Sequence, residues 1–206
     1  MKLCAMSDTH GYLPKEIPVC DALLIAGDFC PRMPVYFQLQ WLGFEFRSWL
    51  QELAVPVFAC AGNHDWLFFE YADDIPKLPW TYLEDSSAWF KGLKIYGTPW
   101  QRVFFDWAFN LTEAQLAVKW REIPSDTDIL ICHSPPKFFG DLVKRGTHEC
   151  SESLLRRIIE VEPKLAVFGH IHPGRGEWEH DGVKLANVAI MSDGYKVVNE
   201  PWVYEL

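Results

Sequence analysis

Five short apolar runs, each bounded by turn-forming residues, dominate the hydrophobic pattern of the chain. The runs are continuous rather than alternating, which is typical of strands that are covered on both faces. The pattern therefore predicts strands at residues 2–6, 22–27, 55–62, 128–133 and 165–170.

Amphipathic segments separate several of these runs and predict helices at residues 37–53, 112–123 and 151–162. The second segment opens with Thr112 and Gln115 at the spacing of a capping box, and Ser151 is a suitable N-cap for the third. Strands that alternate with helices indicate layered α/β architecture. No repeat or linker-like stretch interrupts the pattern, so we expect one domain over residues 1–206.

The C-terminal part has a different pattern. Residues 176–189 predict a hairpin around Asp181 and Gly182, and strand-like runs follow at 195–198 and 202–206. We therefore expect a second, more antiparallel sheet near this end of the chain.

Composition narrows the class of protein. The chain is 49% hydrophobic and 15% aromatic, which is typical of a globular protein. No apolar run approaches the roughly 20 residues of a membrane span, and the first residues lack a signal-peptide core, so we expect a soluble cytoplasmic protein without a membrane partner. The net charge of −9 opposes an extended nucleic-acid surface. Six scattered cysteines, three of them inside apolar runs, predict reduced and mostly buried thiols.

Metal-ligand residue types follow every predicted strand. They are Asp8 and His10, then Asp28, Asn63, His133, and finally His170 with His172. Ligands in layered α/β folds gather beyond the carboxyl ends of the strands, so we expect these side chains to converge. Each motif alone is typical of a turn or a buried histidine, but five in this order predict a metal site.

The spacing of His170 and His172 indicates two ions rather than one. In an extended segment, side chains two residues apart point the same way and stand about 6.6 Å apart along the chain. Paired catalytic ions lie about 3.5–4 Å apart, so the two imidazoles can bind neighbouring ions. A nitrogen and oxygen donor set without thiolate fits two divalent ions of Mn, Fe, Zn or Ni, with Mn favoured and Mg left open.

The segments SDTHG, GDFC, AGNHD, CHSPP and GHIHPG, in this order, resemble the calcineurin-like metallophosphoesterase superfamily. Residues 95–110 and the C-terminal tail resemble its class III cyclic-nucleotide phosphodiesterase-like branch. The resemblance implies an α/β fold, a four-layer α/β/β/α sandwich of two mixed sheets flanked by helices, with a dinuclear site at one edge.

The resemblance also implies a role for each motif residue. It assigns seven metal ligands to two divalent ions: Asp8, His10 and His172 to one, Asn63, His133 and His170 to the other, and Asp28 to both. A hydroxide that bridges the ions would attack phosphorus, and His64 would contact the phosphoryl group and protonate the leaving oxygen. Asp65 is interpreted either as orienting His64 or as a plain surface aspartate.

The expected activity is hydrolysis of cyclic nucleotides or other small phosphodiesters. The alternatives are a phosphomonoesterase or protein phosphatase on the same site, a non-catalytic scaffold of the same fold, and a DNA-processing nuclease. Arg32 lies where protein phosphatases of the superfamily carry G-D-x-x-D-R-G, but Pro31 replaces the second aspartate, so we expect a solvated arginine. Tryptophans are expected in the core, with Trp100 or Trp107 against a nucleobase as the alternative.

Overall fold

The computed structural model describes all 206 residues. In chain order the strands are β1 (Lys2–Met6), β2 (Ala22–Ala26), β3 (Val57–Cys60), β4 (Thr81–Tyr82), β5 (Ser86–Phe90), β6 (Leu93–Thr98), β7 (Gln101–Arg102), β8 (Asn110–Leu111), β9 (Ile129–Cys132), β10 (Leu165–Phe168), β11 (Gly176–His180), β12 (Val183–Asn187) and β13 (Trp202–Glu205). The α-helices are α1 (Val35–Trp41), α2 (Arg47–Glu52), α3 (Trp66–Glu70), α4 (Glu113–Lys119) and α5 (Glu152–Val161).

Two mixed sheets form the centre of the molecule. The five-stranded sheet has the order β13-β1-β2-β3-β4, in which only β13 is antiparallel to its neighbour. The six-stranded sheet has the order β11-β12-β10-β9-β6-β5, with parallel pairing at the centre and an antiparallel strand at each edge. The predicted fold class of two mixed sheets flanked by helices is confirmed.

Alternation along the central strands divides their side chains between separate cores. On β1, Leu3 and Ala5 belong to the core between the two sheets, whereas Cys4 and Met6 pack toward α1, α2 and α3. β10 alternates in the same way between the inter-sheet core and the core beneath α4 and α5. Because both faces of each sheet are covered, the strands need apolar residues at every position, which explains the continuous runs in the sequence.

The predicted helices form, with one irregularity. The segment predicted at 37–53 is α1 and α2 joined by a π-helical stretch, Leu42–Phe46. Thr112 and Gln115 form the capping box of α4, and the Ser151 hydroxyl accepts a hydrogen bond from the Leu154 amide at the start of α5. No helix has both the length and the hydropathy needed to cross a bilayer. Five of the six cysteines are buried, and all six are free thiols.

The expectation for the C-terminal part is correct for the hairpin and wrong for the sheet. β11 and β12 pair around Asp181 and Gly182, whose φ angles of 49° and 81° are those of a type I′ turn. The hairpin, however, extends a sheet whose centre is parallel. Residues 195–198 contribute a single bridge, between Met191 and Val197, and β13 returns to pair with β1 in the other sheet.

Candidate metal centre

The loops that follow β1, β2, β3, β9 and β10 meet at one edge of the molecule. The first three strands are parallel neighbours in one sheet, and β9 and β10 are parallel neighbours in the other. Ser7, directly after β1, joins the two sheets: its amide donates to the Val188 carbonyl at 3.1 Å, and its carbonyl accepts from the Ile190 amide at 3.0 Å. The carboxyl ends of both sheets therefore face the same space.

Asp8, His10 and His172 form a first cluster of ligand atoms. His172 Nε2 lies 3.3 Å from Asp8 Oδ1 and 3.5 Å from His10 Nε2. The Nδ1–H of His172 donates to the Ser192 carbonyl at 3.0 Å, so in the neutral ring Nε2 carries the lone pair that faces the cluster.

Asn63, His133 and His170 form a second cluster. Asn63 Oδ1 lies 2.9 Å from His133 Nε2 and 2.8 Å from His170 Nδ1. The Nδ1–H of His133 donates to the Ala26 carbonyl at 2.9 Å, so its Nε2 also presents a lone pair in the neutral ring.

Asp28 lies between the two clusters and is almost completely buried. One carboxylate oxygen, Oδ1, is 3.5 Å from His133 Nε2, and the other, Oδ2, is 3.9 Å from His10 Nε2. Each oxygen therefore faces one cluster, which is the arrangement a bridging carboxylate needs. The structure thus brings together all seven residues that the sequence nominates.

The electrostatics of the centre fit divalent cations. Burial, together with the charges of Asp65 and Asp8, raises the pKa of Asp28 well above its usual range. Burial also lowers the pKa of His10 and of His170 to about 3, so these imidazoles are neutral acceptors at neutral pH. Burial disfavours a charged His172 ring, but the hydrogen bond and the charge of Asp8 outweigh it and raise the pKa of His172 to about 9, so the first cluster favours a positive charge beside Asp8. In the second cluster the Nε2 lone pair of His133 faces Asn63 Oδ1 at 2.9 Å, an unfavourable contact that a cation would remove.

Close backbone approach makes the convergence possible. A Cβ atom on Gly169 would lie 2.1 Å from Asp8 Oδ2, and one on Gly62 would lie 2.4 Å from Asp28 Oδ1. Four of the ligand-type residues have positive φ angles: Asp8, His10, Asp28 and His170. Aspartate and histidine tolerate this left-handed region better than most residues, and such strained conformations concentrate at functional sites.

His64 lies at the margin of the centre. Its amide donates to Asp28 Oδ1 at 2.8 Å, and its ring centroid lies 4.9 Å from that of His10 and 4.1 Å from that of Trp107. Burial, with smaller contributions from His133 and Arg32, lowers the pKa of His64 to about 4. The ring faces the same cavity as the ligand atoms, and its Nε2 lies 4.0 Å from Asp28 Oδ2, so that His64 also forms a third group of ligand-type atoms with His10 and Asp28.

Both interpretations of Asp65 are wrong, because it is neither a surface residue nor a partner of the His64 ring. It is fully buried, and its carboxylate accepts hydrogen bonds from the amides of Asp28, Cys30 and Gly62 at 2.7–2.8 Å. Asp65 therefore fastens the loop after β2 to the loop after β3 and fixes the backbone that presents Asp28 and Asn63.

Sequence motifs did not identify two further groups at the centre. The Ser192 carbonyl orients His172, and the Tyr195 ring lies 4.9 Å from the His10 ring and 5.6 Å from the His172 ring. Arg32 is exposed, as expected for a solvated side chain, but its guanidinium stacks 3.7 Å from the centroid of Tyr195. Ser192 and Tyr195 carry no local signal because they lie in a loop with no ligand motif.

The two tryptophans singled out by sequence have different environments. Trp100 packs against the core, and its Nε1–H donates to Asp85 Oδ2 at 2.7 Å. Trp107 instead lines the cavity over the centre, together with His64 and Tyr195. The expectation of a core position is correct for Trp100 and wrong for Trp107.

Two mixed sheets that hold clustered aspartate and histidine side chains beyond their strand ends form a site that could hold metal ions. A family model described as calcineurin-like phosphoesterase matches residues 1–174. The chain belongs to this family, which confirms the resemblance seen in the motifs.

Comparisons with individual proteins agree. Metallophosphoesterase domain-containing protein 1 of Homo sapiens is 33% identical over 235 aligned residues, which cover all of this chain and 71% of the relative. The crystal structure of TT1561 of Thermus thermophilus shares the fold, with a TM-score of 0.63 at 14% identity over 90% of this chain and 88% of that one. A 5′-nucleotidase precursor from the same organism has a TM-score of 0.52 at 14% identity, over 91% of this chain and 48% of that one.

Proposed function

We propose that the protein is a dinuclear metal-dependent phosphodiesterase that hydrolyses small phosphodiesters, cyclic nucleotides among them. The observation that carries the proposal is the position of Asp28, whose two carboxylate oxygens face two separate clusters of donor atoms. A pair of ions held in this way can stabilise both the attacking and the leaving oxygen of an in-line displacement. Manganese is the metal we favour for these nitrogen and oxygen donors.

The charge of the centre favours phosphate despite the acidic chain. Bound divalent ions supply Lewis-acid chemistry, lowering the pKa of water and neutralising charge on phosphate oxygens. Asp8 and Asp28 are the only carboxylates among the seven ligand-type residues, so two divalent ions leave a local excess of positive charge. Two further carboxylates lie nearby: Asp65 is turned away toward three backbone amides, and Asp193 is paired with Lys144 at 2.7 Å.

His64 is the residue we assign to the leaving group. Water loses one proton to solvent, the resulting hydroxide oxygen bonds to phosphorus as the P–O bond to the leaving alcohol breaks, and the departing oxygen takes a proton from the imidazolium of His64, which solvent then reprotonates. An anionic substrate opposite the ring raises the pKa of His64 from its low value and so favours the protonated form. The amide hydrogen bond to Asp28 and the packing against Trp107 hold the ring at the cavity.

A phosphomonoesterase is the second candidate, and Arg32 is the observation that favours it. A monoester dianion needs more positive charge than a diester. Arg32 stacks on the ring of Tyr195, which in turn packs against the rings of His10 and His172. We favour the diesterase because the guanidinium stacks on the side chain of Tyr195 and is absent from the lining of the cavity.

Metal analysis combined with a substrate panel tests the proposal. Purified protein loaded with Mn²⁺ should bind two ions per chain. It should hydrolyse bis(p-nitrophenyl) phosphate, 2′,3′-cyclic AMP and 3′,5′-cyclic AMP better than p-nitrophenyl phosphate. A preference for p-nitrophenyl phosphate would show the monoesterase instead, and no hydrolysis of any ester by the two-metal protein would refute both.

The His64→Ala variant tests the proton-donor assignment. We expect it to keep both ions and to lose roughly 10²- to 10⁴-fold in kcat on esters of poor leaving groups. The loss should be smallest for nitrophenyl esters, whose leaving group needs no proton. His180→Ala removes a histidine of β11 outside the centre and should retain wild-type rates. An equal loss across all leaving groups would contradict the assignment.

A further inference from the structure

A second cavity adjoins the metal centre, and most of the residues that line it are not metal-ligand candidates. The cavity over the centre has a volume of about 330 Å³, and the second one, which we call the side cavity, has a volume of about 480 Å³. Both are lined by Phe104, His170, His172 and Asp193, so they form one continuous cleft. The combined space is within the range of small-molecule sites.

The side cavity has an apolar wall. Val103, Phe104, Val143, Ile171 and Pro173 line it. Val103 and Phe104 are more than half exposed, so their apolar surfaces are accessible to a ligand in the side cavity.

The loop that carries this exposed wall is held in place. The Asn110 side chain accepts from the Phe104 amide at 3.3 Å and donates to the carbonyls of Phe104 and Phe105 at 3.3 and 3.0 Å. Its Oδ1 also accepts from Gln101 Nε2 at 3.0 Å. Phe105 has a φ angle of 48°, a left-handed conformation that bulky residues rarely adopt. The loop is strained and is held by the hydrogen bonds of the Asn110 side chain. Phe104 is therefore kept exposed to the side cavity instead of packing against the protein.

The rim of the side cavity is polar but nearly neutral. Lys144 pairs with Asp193 at 2.7 Å and Arg145 with Glu149 at 2.7 Å, and Arg102 donates to the Glu149 carbonyl at 3.0 Å. These three cations face two acids, so the rim offers hydrogen-bond donors with little free charge. Such a rim suits the polar edge of an uncharged ring better than a second phosphate group.

We propose that the side cavity binds the nucleobase of a phosphodiester's retained nucleoside, with the ring stacked on Phe104. This inference rests on the proposed phosphodiesterase function. Stacking on an aromatic side chain needs a flat partner, and the donors of the rim match the nitrogen and oxygen atoms at the edge of such a ring. His170 and His172 line both cavities. A substrate whose base lies in the side cavity therefore has its phosphorus atom at the metal centre.

The test keeps the reacting bond constant and varies only the retained group. Ethyl p-nitrophenyl phosphate, n-octyl p-nitrophenyl phosphate and thymidine 5′-(p-nitrophenyl phosphate) share one leaving group. With the Mn²⁺-loaded protein, kcat/KM for the thymidine ester should exceed that for the ethyl ester by about tenfold or more. Phe104→Ala should abolish most of this advantage, so that its loss in kcat/KM is about tenfold larger for the thymidine ester than for the ethyl ester.

Matched variants and a binding measurement separate stacking from damage to the fold. Phe44→Ala removes another exposed phenylalanine, in the helical layer, and should retain the thymidine advantage. Val143→Trp fills the side cavity and should reduce kcat/KM for the thymidine ester more than kcat/KM for the ethyl ester. In calorimetry, thymidine 5′-monophosphate should bind the wild-type protein more tightly than ribose 5-phosphate, and Phe104→Ala should remove the difference.

The results of these experiments distinguish the two proposals. If the ethyl ester is hydrolysed but the thymidine ester is no better, the nucleobase inference is overturned and the phosphodiesterase stands. If the octyl ester is the best substrate, the side cavity binds an alkyl chain and the inference is likewise wrong. If none of the three esters is hydrolysed, the phosphodiesterase itself fails.

Discussion

The metal centre and the side cavity share His170 and His172, yet they are built in opposite ways. The centre consists of buried and half-buried residues beyond the strand ends, with its backbone fixed by Asp65 and by close glycine contacts. The side cavity consists of loop residues, and its rim cations are 44–76% exposed. The difference agrees with the two proposals, in which the chemistry belongs to fixed strand ends and the selectivity to loops that tolerate change.

Gly169→Ala should have the largest effect, because it tests the tightest contact of the centre. The added Cβ would lie 2.1 Å from Asp8 Oδ2 and 2.2 Å from Ser7 Oγ, so Asp8 or the loop after β10 must move. We expect the free energy of unfolding to fall by about 3 kcal/mol and metal content to drop. Denaturant unfolding and metal analysis measure both.

Gly43→Ala is the matched control for this variant. Gly43 lies in the helical segment after α1 with no neighbouring atom within 4 Å of the new Cβ. Alanine should stabilise the protein by about 0.5–1 kcal/mol, because it favours the helical backbone. A Gly169→Ala protein as stable and as metal-rich as the wild type would show that the centre is less tightly packed than described.

Asp65→Asn should have the next largest effect. Its carboxylate accepts three amide hydrogen bonds, and an asparagine side chain would turn an NH₂ group toward at least one of these donors. We expect metal affinity to fall by about 10- to 100-fold, although Asp65 is not placed as a ligand, because the loops of Asp28 and Asn63 lose their connection. Titration with Mn²⁺ measures the change.

Asp126→Asn provides the comparison for Asp65. Asp126 is an exposed carboxylate that pairs with Lys94, and its loss should leave Mn²⁺ affinity unchanged. Equal affinities in the two variants would mean that the Asp65 hydrogen bonds do not support the centre.

Lys144→Ala should have the smallest effect and tests the other half of the comparison. Lys144 is 76% exposed and pairs with Asp193 across solvent, so its removal should change the free energy of unfolding by less than about 0.5 kcal/mol. Mn²⁺ affinity should also stay the same. A clear loss of either would show that the side cavity and the metal centre are one structural unit.

The ligand-type residues were predictable because each follows its strand within a few positions. An apolar run, a glycine and a charged or amide side chain are local features, and parallel strands bring their carboxyl ends together without further information. The positions of Asp28, Asn63 and His133 at one edge follow from this rule and from the observed pairing of the sheets.

Other features depend on contacts between distant segments. Asp65 looks like a surface residue until the amides of two other loop positions, Asp28 and Cys30, are placed around it. Tyr195 reaches the centre only because the chain after β12 folds back across it. The exposed Phe104 is an exception to the general preference of aromatic residues for the core, and the apolar pattern does not identify it.

β6 illustrates a signal that was present but weak. Lys94 and Gly97 interrupt its apolar pattern, so it does not stand out as a buried strand although it pairs with both β5 and β9. The turn before it, at Lys91 and Gly92, has φ angles of 48° and 81°, the signature of a two-residue hairpin with glycine in second place. The sequence of Lys91 and Gly92 is compatible with a turn, whereas the sequence of β6 is not recognisable as a buried strand.

The left-handed backbone at Asp8, His10, Asp28 and His170 has a consequence for how the protein acquires its ions. These angles are held by amide and carbonyl partners, not by coordination, so the framework stands ready before any ion arrives. Less conformational entropy is then lost when ions bind, because the loops that carry the four residues are already ordered.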